Sequence, residues 1–135
     1  MGLDMYLFRQ KKNNEDTKEE IGYWRKANQI REFFVRECGY GINSDCEEFF
    51  VTRDQLEKLK YICGTLYKEY EKNGITNKLI SSCDKYLPTS AGFFFGSTDY
   101  DEWYFNDLKE TIDIMIEAID GTDWDTEEVY YYEWW

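Results

Sequence analysis

Apolar residues recur at steps of three and four in two long segments of the 135-residue chain, and this spacing predicts an amphipathic helix for each segment. The first helix is predicted to begin after Thr52, a good N-terminal cap, and to end near Gly74. The second is predicted at residues 101–119, with acidic residues at its positive end. Because an amphipathic helix must bury its apolar face, both helices are expected to pack on another layer. The two apolar stripes comprise Leu56, Leu59, Cys63, Leu66 and Tyr70 in the first helix and Phe105, Leu108, Ile112, Met115 and Ile119 in the second.

The rest of the chain predicts that the other layer is a small β-sheet. Residues 3–8 and 128–135 are rich in strand-forming side chains, and residues 48–51 favour a short extended segment. A third helix is predicted at residues 19–38 after a loop at 9–20, and a short helix at 78–85 within an irregular region at 75–96. We therefore expect a single α+β domain over residues 1–135, with about three main helices packed on a small antiparallel sheet formed partly by the N- and C-terminal strands.

The composition excludes several kinds of catalytic and metal site. The chain has no histidine, which rules out Ser-His-Asp and Cys-His nucleophiles and His-ligated zinc within it. Its four cysteines include no Cys-x-x-Cys pair that could begin a zinc site. In the acidic run that starts at Asp123, Glu128 stands where an EF-hand loop needs glycine. We therefore expect no metal, no cofactor and no catalytic residue.

The formal net charge of −12 lies in the last third of the chain, because residues 91–135 hold 13 acidic side chains and a single basic one, Lys109. Aromatic and aliphatic residues interrupt this acidic segment, so it is predicted to be a folded acidic surface rather than a disordered tail. Glu110, Asp113, Glu117 and Asp120 are predicted to share one face of the last helix. Their spacing is a sparse imitation of the phosphates along a DNA strand.

This acidic surface predicts a partner-binding site. The expected partner is a host protein with a basic or nucleic-acid-binding surface, because such a surface is attracted whereas nucleic acid itself is repelled. The alternative is an ordinary solvated face that keeps the protein soluble. The predicted partner-binding residues are Asp99, Asp101, Glu102, Asp107, Glu110, Asp113, Glu117, Asp120, Asp123 and Asp125.

A second candidate site combines aromatic, cationic and amide side chains within residues 23–28. Such groups on one helix can hold a nucleotide or another anionic ligand by stacking and charge. The glycine-flanked segment 90–98 would complete a pocket if it lay beside them. The competing interpretation places Tyr23 and Trp24 in the core and the cations on the surface. The predicted ligand-binding residues are Tyr23, Trp24, Arg25, Lys26 and Asn28.

Three segments together resemble a known family. They are MGLDMYL at residues 1–7, GYWRKAN at 22–28, and LPTSAGFFFGST at 87–98 followed by Tyr100, Asp101 and Glu102. These segments are similar to those of a family of small, uncharacterised proteins carried by bacteriophages and by prophage-bearing bacterial genomes. The resemblance implies a viral or mobile-element origin and carries over no catalytic residue.

The leading functional hypothesis is a bacteriophage interaction protein that inhibits a host defence effector, such as a CRISPR complex, by mimicking DNA. The alternative is a protein that binds and sequesters a small ligand, for example a nucleotide signal. A hydrolase that uses a pair of carboxylates is a third possibility, drawn from composition alone. The start of the chain, MGLDMYLFRQ, lacks the features of a secretion signal, and no apolar run is long enough to span a bilayer. We therefore expect the protein in the host bacterial cytoplasm, away from membranes.

Overall fold

The computed structural model describes residues 2–38, 48–92 and 96–135. Within these ranges the strands are β1 (Asp4–Lys11), β2 (Asn14–Arg25), β3 (Glu48–Val51) and β4 (Glu127–Trp134). The helices are α1 (Asn28–Cys38), α2 (Arg53–Asn73), α3 (Asn77–Tyr86) and α4 (Glu102–Asp120). This content of helices and strands confirms the predicted α+β class.

The described strands form one antiparallel sheet in the order β2-β1-β4-β3. The last strand of the chain lies between the first and the third, with Asp4 of β1 opposite Trp134 of β4. Alternate residues of a strand face opposite sides of the sheet, so Met5 and Leu7 of β1 are fully buried beneath the helices. The N- and C-terminal strands therefore belong to the sheet, as predicted.

The opposite face of the sheet carries aromatic side chains. The ring of Tyr6 lies 5.7 Å from that of Phe8, 5.3 Å from that of Tyr23 and 6.0 Å from that of Tyr132. Tyr23 is 43% exposed. The sheet thus has one face in the core and one aromatic face outside it.

The predicted loop at 9–20 and the start of the predicted helix at 19–38 are wrong. Both lie in a hairpin, because β2 pairs with β1 from Asn14 to Arg25. The turn between the two strands includes Asn13, whose φ is 61°. Tyr23 and Trp24 follow the two-residue alternation of a strand, with Trp24 buried and Tyr23 exposed. The same apolar residues also satisfy helical spacing, and pairing with β1 decides between the two patterns. The helix begins only at Asn28.

Helix α2 begins after its predicted cap, Thr52, and α4 begins within one residue of its predicted start. The hydroxyl of Thr52 accepts a hydrogen bond from Gln55 N at 3.2 Å, and the Gln55 side chain accepts one from Thr52 N at 2.9 Å. This reciprocal pair satisfies two backbone donors at the start of α2. Asp101 caps α4 by accepting from Tyr104 N at 3.1 Å. The short helix predicted at 78–85 is α3, which begins after Thr76.

The core lies between the sheet and the helices. The ring of Tyr70 on α2 stacks on that of Phe105 on α4, with centroids 4.3 Å apart. Trp24 of β2 donates from Nε1 to the hydroxyl of Thr111 on α4 at 2.8 Å. These contacts fix α4 against both α2 and the sheet and determine which of its faces is exposed.

A buried ion pair joins α1 to the C-terminal strand. Arg31 Nε lies 2.9 Å from a carboxylate oxygen of Glu133, whose side chain is fully buried. The Tyr131 hydroxyl donates to the same carboxylate at 2.9 Å, and Trp135 Nε1 donates to it at 2.8 Å. Burial and the Glu133 carboxylate raise the pKa of Tyr131, so this hydroxyl stays protonated and remains a donor. The buried charge of Glu133 is thus met by several donors.

Candidate functional site

The exposed face of α4 carries an acidic side chain at its first residue and four more over its last eleven residues. With a rotation of 100° per residue, its five exposed carboxylates fall within an arc of about 80°, opposite the buried residues. The helix has 19 residues and therefore extends for about 28 Å. We call this surface the acidic face, and it consists of Glu102, Glu110, Asp113, Glu117 and Asp120.

Most of the acidic face is not neutralised by cations of the same chain. Among the described residues, only Glu117 of the five forms an ion pair, with Arg9 Nη2 3.5 Å from its carboxylate. Lys109 lies at one border of the face. The predicted acidic stripe is therefore present, although Glu117 is partly engaged within the fold.

Two large apolar side chains border the acidic face on either side. Trp103 is 77% exposed and Ile116 is 41% exposed. Tryptophan is enriched among the residues that dominate binding energy in protein interfaces, so an exposed tryptophan beside a charged face is a candidate contact residue. The sequence does not identify Trp103 and Ile116 as surface residues, because apolar side chains in a helix are normally assigned to the core.

The other predicted acidic residues lie around the ends of α4. Asp99 is exposed before the helix, and Asp101 caps it. Asp123 and Asp125 lie in the turn after the helix, where the Asp123 carboxylate accepts from Asp125 N at 3.1 Å. Asp107 points away from the acidic face and is half-buried. The capping role of Asp101 and the turn role of Asp123 are structural.

A cleft of about 320 Å³ opens beside the N-terminal end of α4. Two cationic residues at the end of β2 line it together with three aspartates that precede or belong to α4, so both signs of charge face the same space. The residues that line it are Arg25, Lys26, Gln29, Thr89, Gly96, Ser97, Asp99, Asp101, Trp103, Tyr104 and Asp107. The cleft therefore places Arg25 and Lys26 beside Gly96 and Ser97 of segment 90–98, which is the adjacency that the predicted pocket required.

Asn28 joins these two segments. Its side chain is 1% exposed, donates to the carbonyl of Ser97 at 2.8 Å and accepts from Ser90 N at 2.9 Å. Thr89 also donates from its hydroxyl to the carbonyl of Thr98 at 2.9 Å, which closes the segment into a loop. Asn28 thus positions the loop rather than facing the cleft. Residues 93–95 of the predicted loop lie outside the described residues.

Lys26 adopts an uncommon backbone conformation at the edge of the cleft. Its φ is 56°, in the left-handed region that lysine rarely occupies. A hydrogen bond from Lys26 N to the carbonyl of Leu3 at 2.8 Å holds it there. Gly96 packs against it with a φ of 84°, and a Cβ on Gly96 would lie 3.1 Å from that of Lys26. Local strain of this kind concentrates at functional sites.

Two of the predicted ligand-binding residues lie elsewhere. Trp24 is buried in the core beneath α4, and Tyr23 lies on the aromatic face of the sheet, where its hydroxyl donates to Asp4 at 2.5 Å. The prediction that one helix presents Trp24 and Asn28 together is wrong, because Trp24 belongs to a strand. Arg25 and Lys26 line the cleft, and Arg25 also pairs with Asp4 at 2.7 Å.

Gln29 and Asp107 form a polar pair at the cleft. Gln29 is 3% exposed and donates from Nε2 to Asp107 Oδ2 at 3.3 Å and to the carbonyl of Tyr104 at 3.4 Å. Burial raises the pKa of Asp107 to about 6, with smaller increases from the carboxylates of Glu110 and Asp101. No motif in the sequence marks Gln29, since its role depends on the packing of α1 against α4.

The described residues contain neither a cluster suited to metal binding nor an accessible thiol. No group of three or more acidic or cysteine side chains there is arranged to hold a metal ion. Cys38, Cys63 and Cys83 are buried and form no disulfide, and burial raises the pKa of each thiol. Within the same ranges, no helix combines the length and the apolar composition needed to cross a bilayer.

Comparison with known proteins gives no relative. No family model matches the chain, and neither a curated protein nor a solved structure is similar to it. The acidic face and the cleft are therefore interpreted from their own geometry.

Proposed function

We propose that the protein binds a basic, nucleic-acid-binding surface of a partner protein through the acidic face of α4. The observation that carries this proposal is the pairing of that face with exposed apolar side chains, Trp103 and Ile116. The carboxylates supply attraction and orientation, and the apolar groups supply contact area that desolvates on binding. Acidic residues alone, or exposed apolar residues alone, do not distinguish a protein interface from an ordinary solvated surface.

The dimensions of the acidic face support an imitation of nucleic acid. From Glu110 to Asp120, four carboxylates give about one negative charge per 5 Å of helix axis, compared with about 3.4 Å per phosphate along one DNA strand. A groove that binds DNA would meet a similar line of charge on a rigid support. The resemblance to proteins of bacteriophages and prophages makes a host defence effector, such as a CRISPR complex, the partner that we expect.

Charge reversal on the acidic face tests this proposal. The variant Glu110→Lys, Asp113→Lys, Asp120→Lys leaves Glu117 and its contact with Arg9 intact. A purified CRISPR effector complex is incubated with a labelled DNA target, and displacement of the DNA by the protein is measured. We expect the wild type to displace DNA, less effectively as salt rises because exposed charges are screened. The triple variant is expected to lose displacement.

A matched control separates the face from overall charge. The variant Glu15→Lys, Glu20→Lys, Glu71→Lys changes the net charge by the same amount at exposed positions on β2 and α2. It should displace DNA as the wild type does. Trp103→Ala, which keeps every carboxylate, should weaken displacement roughly 10- to 30-fold if the tryptophan anchors the interface. Equal activity of the wild type and the first triple variant rejects mimicry.

A second candidate function is binding of a small ligand, such as a nucleotide, in the cleft. Two observations favour ligand binding in the cleft. The backbone of Lys26 is strained, and Asn28 holds the loop through buried hydrogen bonds. Lys26 has no ion pair within the described residues, so its ammonium is available to an anionic group. Asp99 and Asp107 on the facing wall would accept hydrogen bonds from the rest of the ligand.

A thermal-shift screen of nucleotides tests the cleft. A ligand at 100 times its dissociation constant stabilises by about 2.7 kcal/mol, which corresponds to roughly 9 °C for a chain of this length. Lys26→Asn removes the cation while keeping a residue that tolerates the left-handed conformation, and it should abolish any shift that comes from binding in the cleft. Unchanged melting temperatures across the screen reject this second candidate.

A further inference from the structure

A groove of about 850 Å³ runs between α2 and α3, and it shares no lining residue with the acidic face or the cleft. Its volume lies in the range of small-molecule sites. The walls combine lysines, tyrosines and hydroxyl groups over an apolar floor. The lysines are Lys60, Lys68, Lys72 and Lys78, and the tyrosines are Tyr61 and Tyr86.

The groove is positively charged, in a protein whose net charge is −12. In the part of the chain that the structure describes, none of its four lysines (Lys60, Lys68, Lys72 and Lys78) has an ion pair. The two carboxylates that line it already have neighbours. Glu57 lies 3.9 Å from Arg53, and Glu69 accepts from Asn73 at 3.0 Å. The lysines are therefore available to an external anion.

Gly64 exposes the helix backbone at this groove. It lies in the interior of α2, four residues from Lys60 and four from Lys68, so the three residues share one side of the helix. A Cβ added at Gly64 would meet no atom within 4 Å, and its backbone is helical. Nothing within the described protein thus requires glycine, although glycine disfavours a helix interior. Glycine at such a position permits close approach of a ligand to the backbone.

Two tyrosines at the groove present their rings to solvent. Tyr61 is 75% exposed and Tyr86 is 50% exposed. The ammonium of Lys85 lies 5.1 Å from the Tyr86 ring, which adds a further cation at this end. Exposed aromatic rings beside cations can stack on a planar group whose attached anion reaches the lysines.

From these features we infer that the groove binds a ligand that joins phosphate groups to a planar ring, such as a nucleoside polyphosphate. The lysines bind the phosphates as point charges, and Tyr61 or Tyr86 stacks on the base. The bare backbone at Gly64 lets the ligand approach the floor between Lys60 and Lys68. The negative charge of the rest of the protein repels long polyanions, so a free nucleotide is favoured over a nucleic acid strand.

Titration with defined probes tests this inference. ATP, adenosine, inorganic triphosphate and a thymidine octanucleotide are titrated into the full chain, and heats of binding are measured. We expect ATP to bind at least tenfold more tightly than adenosine or triphosphate, because ring and phosphates both contribute. Tighter binding of the octanucleotide than of ATP would overturn the choice of a free nucleotide. Failure of every probe to bind at millimolar concentration would overturn the site itself.

Gly64→Ala gives two readouts that move in opposite directions. Alanine favours the helix, so the melting temperature should rise by about 2–4 °C. The added methyl group should weaken ATP binding at least tenfold by blocking close approach. Because this variant is stabilised, loss of binding cannot come from unfolding. Unchanged ATP affinity in Gly64→Ala would contradict the role of the bare backbone.

Charge variants locate the bound nucleotide. Lys68→Glu should abolish ATP binding, whereas Lys12→Glu, the same change at the exposed hairpin, should leave it unchanged. Lys26→Asn removes a cation of the cleft and shows whether the cleft or the groove holds the bound ATP. If Lys12→Glu weakened ATP binding as much as Lys68→Glu, the loss would reflect overall charge and not a site in the groove. If only Lys26→Asn abolished ATP binding, the nucleotide would lie in the cleft. Either result rejects the groove.

Discussion

Asp107 should make the stability of this protein depend on pH in a way that a single substitution removes. Its carboxylate is half-buried at the cleft, and burial raises its pKa from 3.8 to about 6. The carboxylates of Glu110 and Asp101 add to this effect, and the hydrogen bond from Gln29 opposes it. At 1.36 kcal/mol per pH unit, the raised pKa corresponds to about 3 kcal/mol of destabilisation when Asp107 is ionised. Partial solvation makes this an upper bound.

The direction of this pH dependence follows from how tightly Asp107 binds its proton in the folded and unfolded states. Because the folded state holds the proton more tightly than the unfolded state, it binds more protons between pH 3.8 and about 6. This contribution to stability is therefore most favourable below about pH 4 and falls as the pH rises toward 6. Well above pH 6, the destabilisation caused by ionised Asp107 no longer changes with pH. Asp107→Asn keeps an acceptor for Gln29 and has no charge to bury.

Urea denaturation at pH 4, 5, 6 and 7 measures the effect as the difference in unfolding free energy between Asp107→Asn and the wild type. We expect a difference of about 0.5 kcal/mol at pH 4 that grows to as much as about 3 kcal/mol in favour of the variant at pH 7. Asp113→Asn, at an exposed position on the same helix, is the matched control. A difference that stays flat from pH 4 to 7, or a less stable variant at pH 7, refutes the reasoning.

Three further predictions concern the buried polar groups. Arg31→Met leaves the carboxylate of Glu133 without its cation and should lower the unfolding free energy by about 3–5 kcal/mol, while adding Glu133→Leu should restore much of it in a double-mutant cycle. Asn28→Ala should cost about 1–3 kcal/mol and accelerate hydrogen exchange of the loop amide that donates to it. Burial raises the pKa of Cys38 to about 12 and of Cys83 to about 11, so alkylation at pH 8 should be slow until the protein unfolds. Alkylation as fast as that of a free thiol would contradict the burial.

The two long helices could be predicted from sequence because their signals are local. In α2, the capping box of Thr52 and Gln55 and the apolar stripe lie within one segment. In α4, the cap at Asp101 and the stripe likewise coincide, so the orientation of the acidic residues followed from helical periodicity alone. The β1–β2 hairpin was missed because residues 14–20 are polar and are held by backbone pairing with β1, which leaves no apolar alternation.

The cleft was predictable only in part. The residue types of Arg25 and Lys26 predict a binding site, whereas their neighbour Trp24 is a core residue because the strand continues through it. Gln29 carried no signal, since its contact with Asp107 joins residues 78 positions apart. The raised pKa of Asp107 likewise arises from packing, because an aspartate on a helix is normally solvated.

Local signals in the sequence predict the α+β class, the terminal strands, α2, α4 and the line of acidic groups on α4, because periodicity, capping and charge act within a few residues of one another. The path of β2, the contact of the loop with Asn28, the burial of Asp107 and the lysine-lined groove between α2 and α3 depend instead on tertiary packing. Those features arise where segments distant in the chain come into contact, and such contacts depend on which surfaces exclude water together.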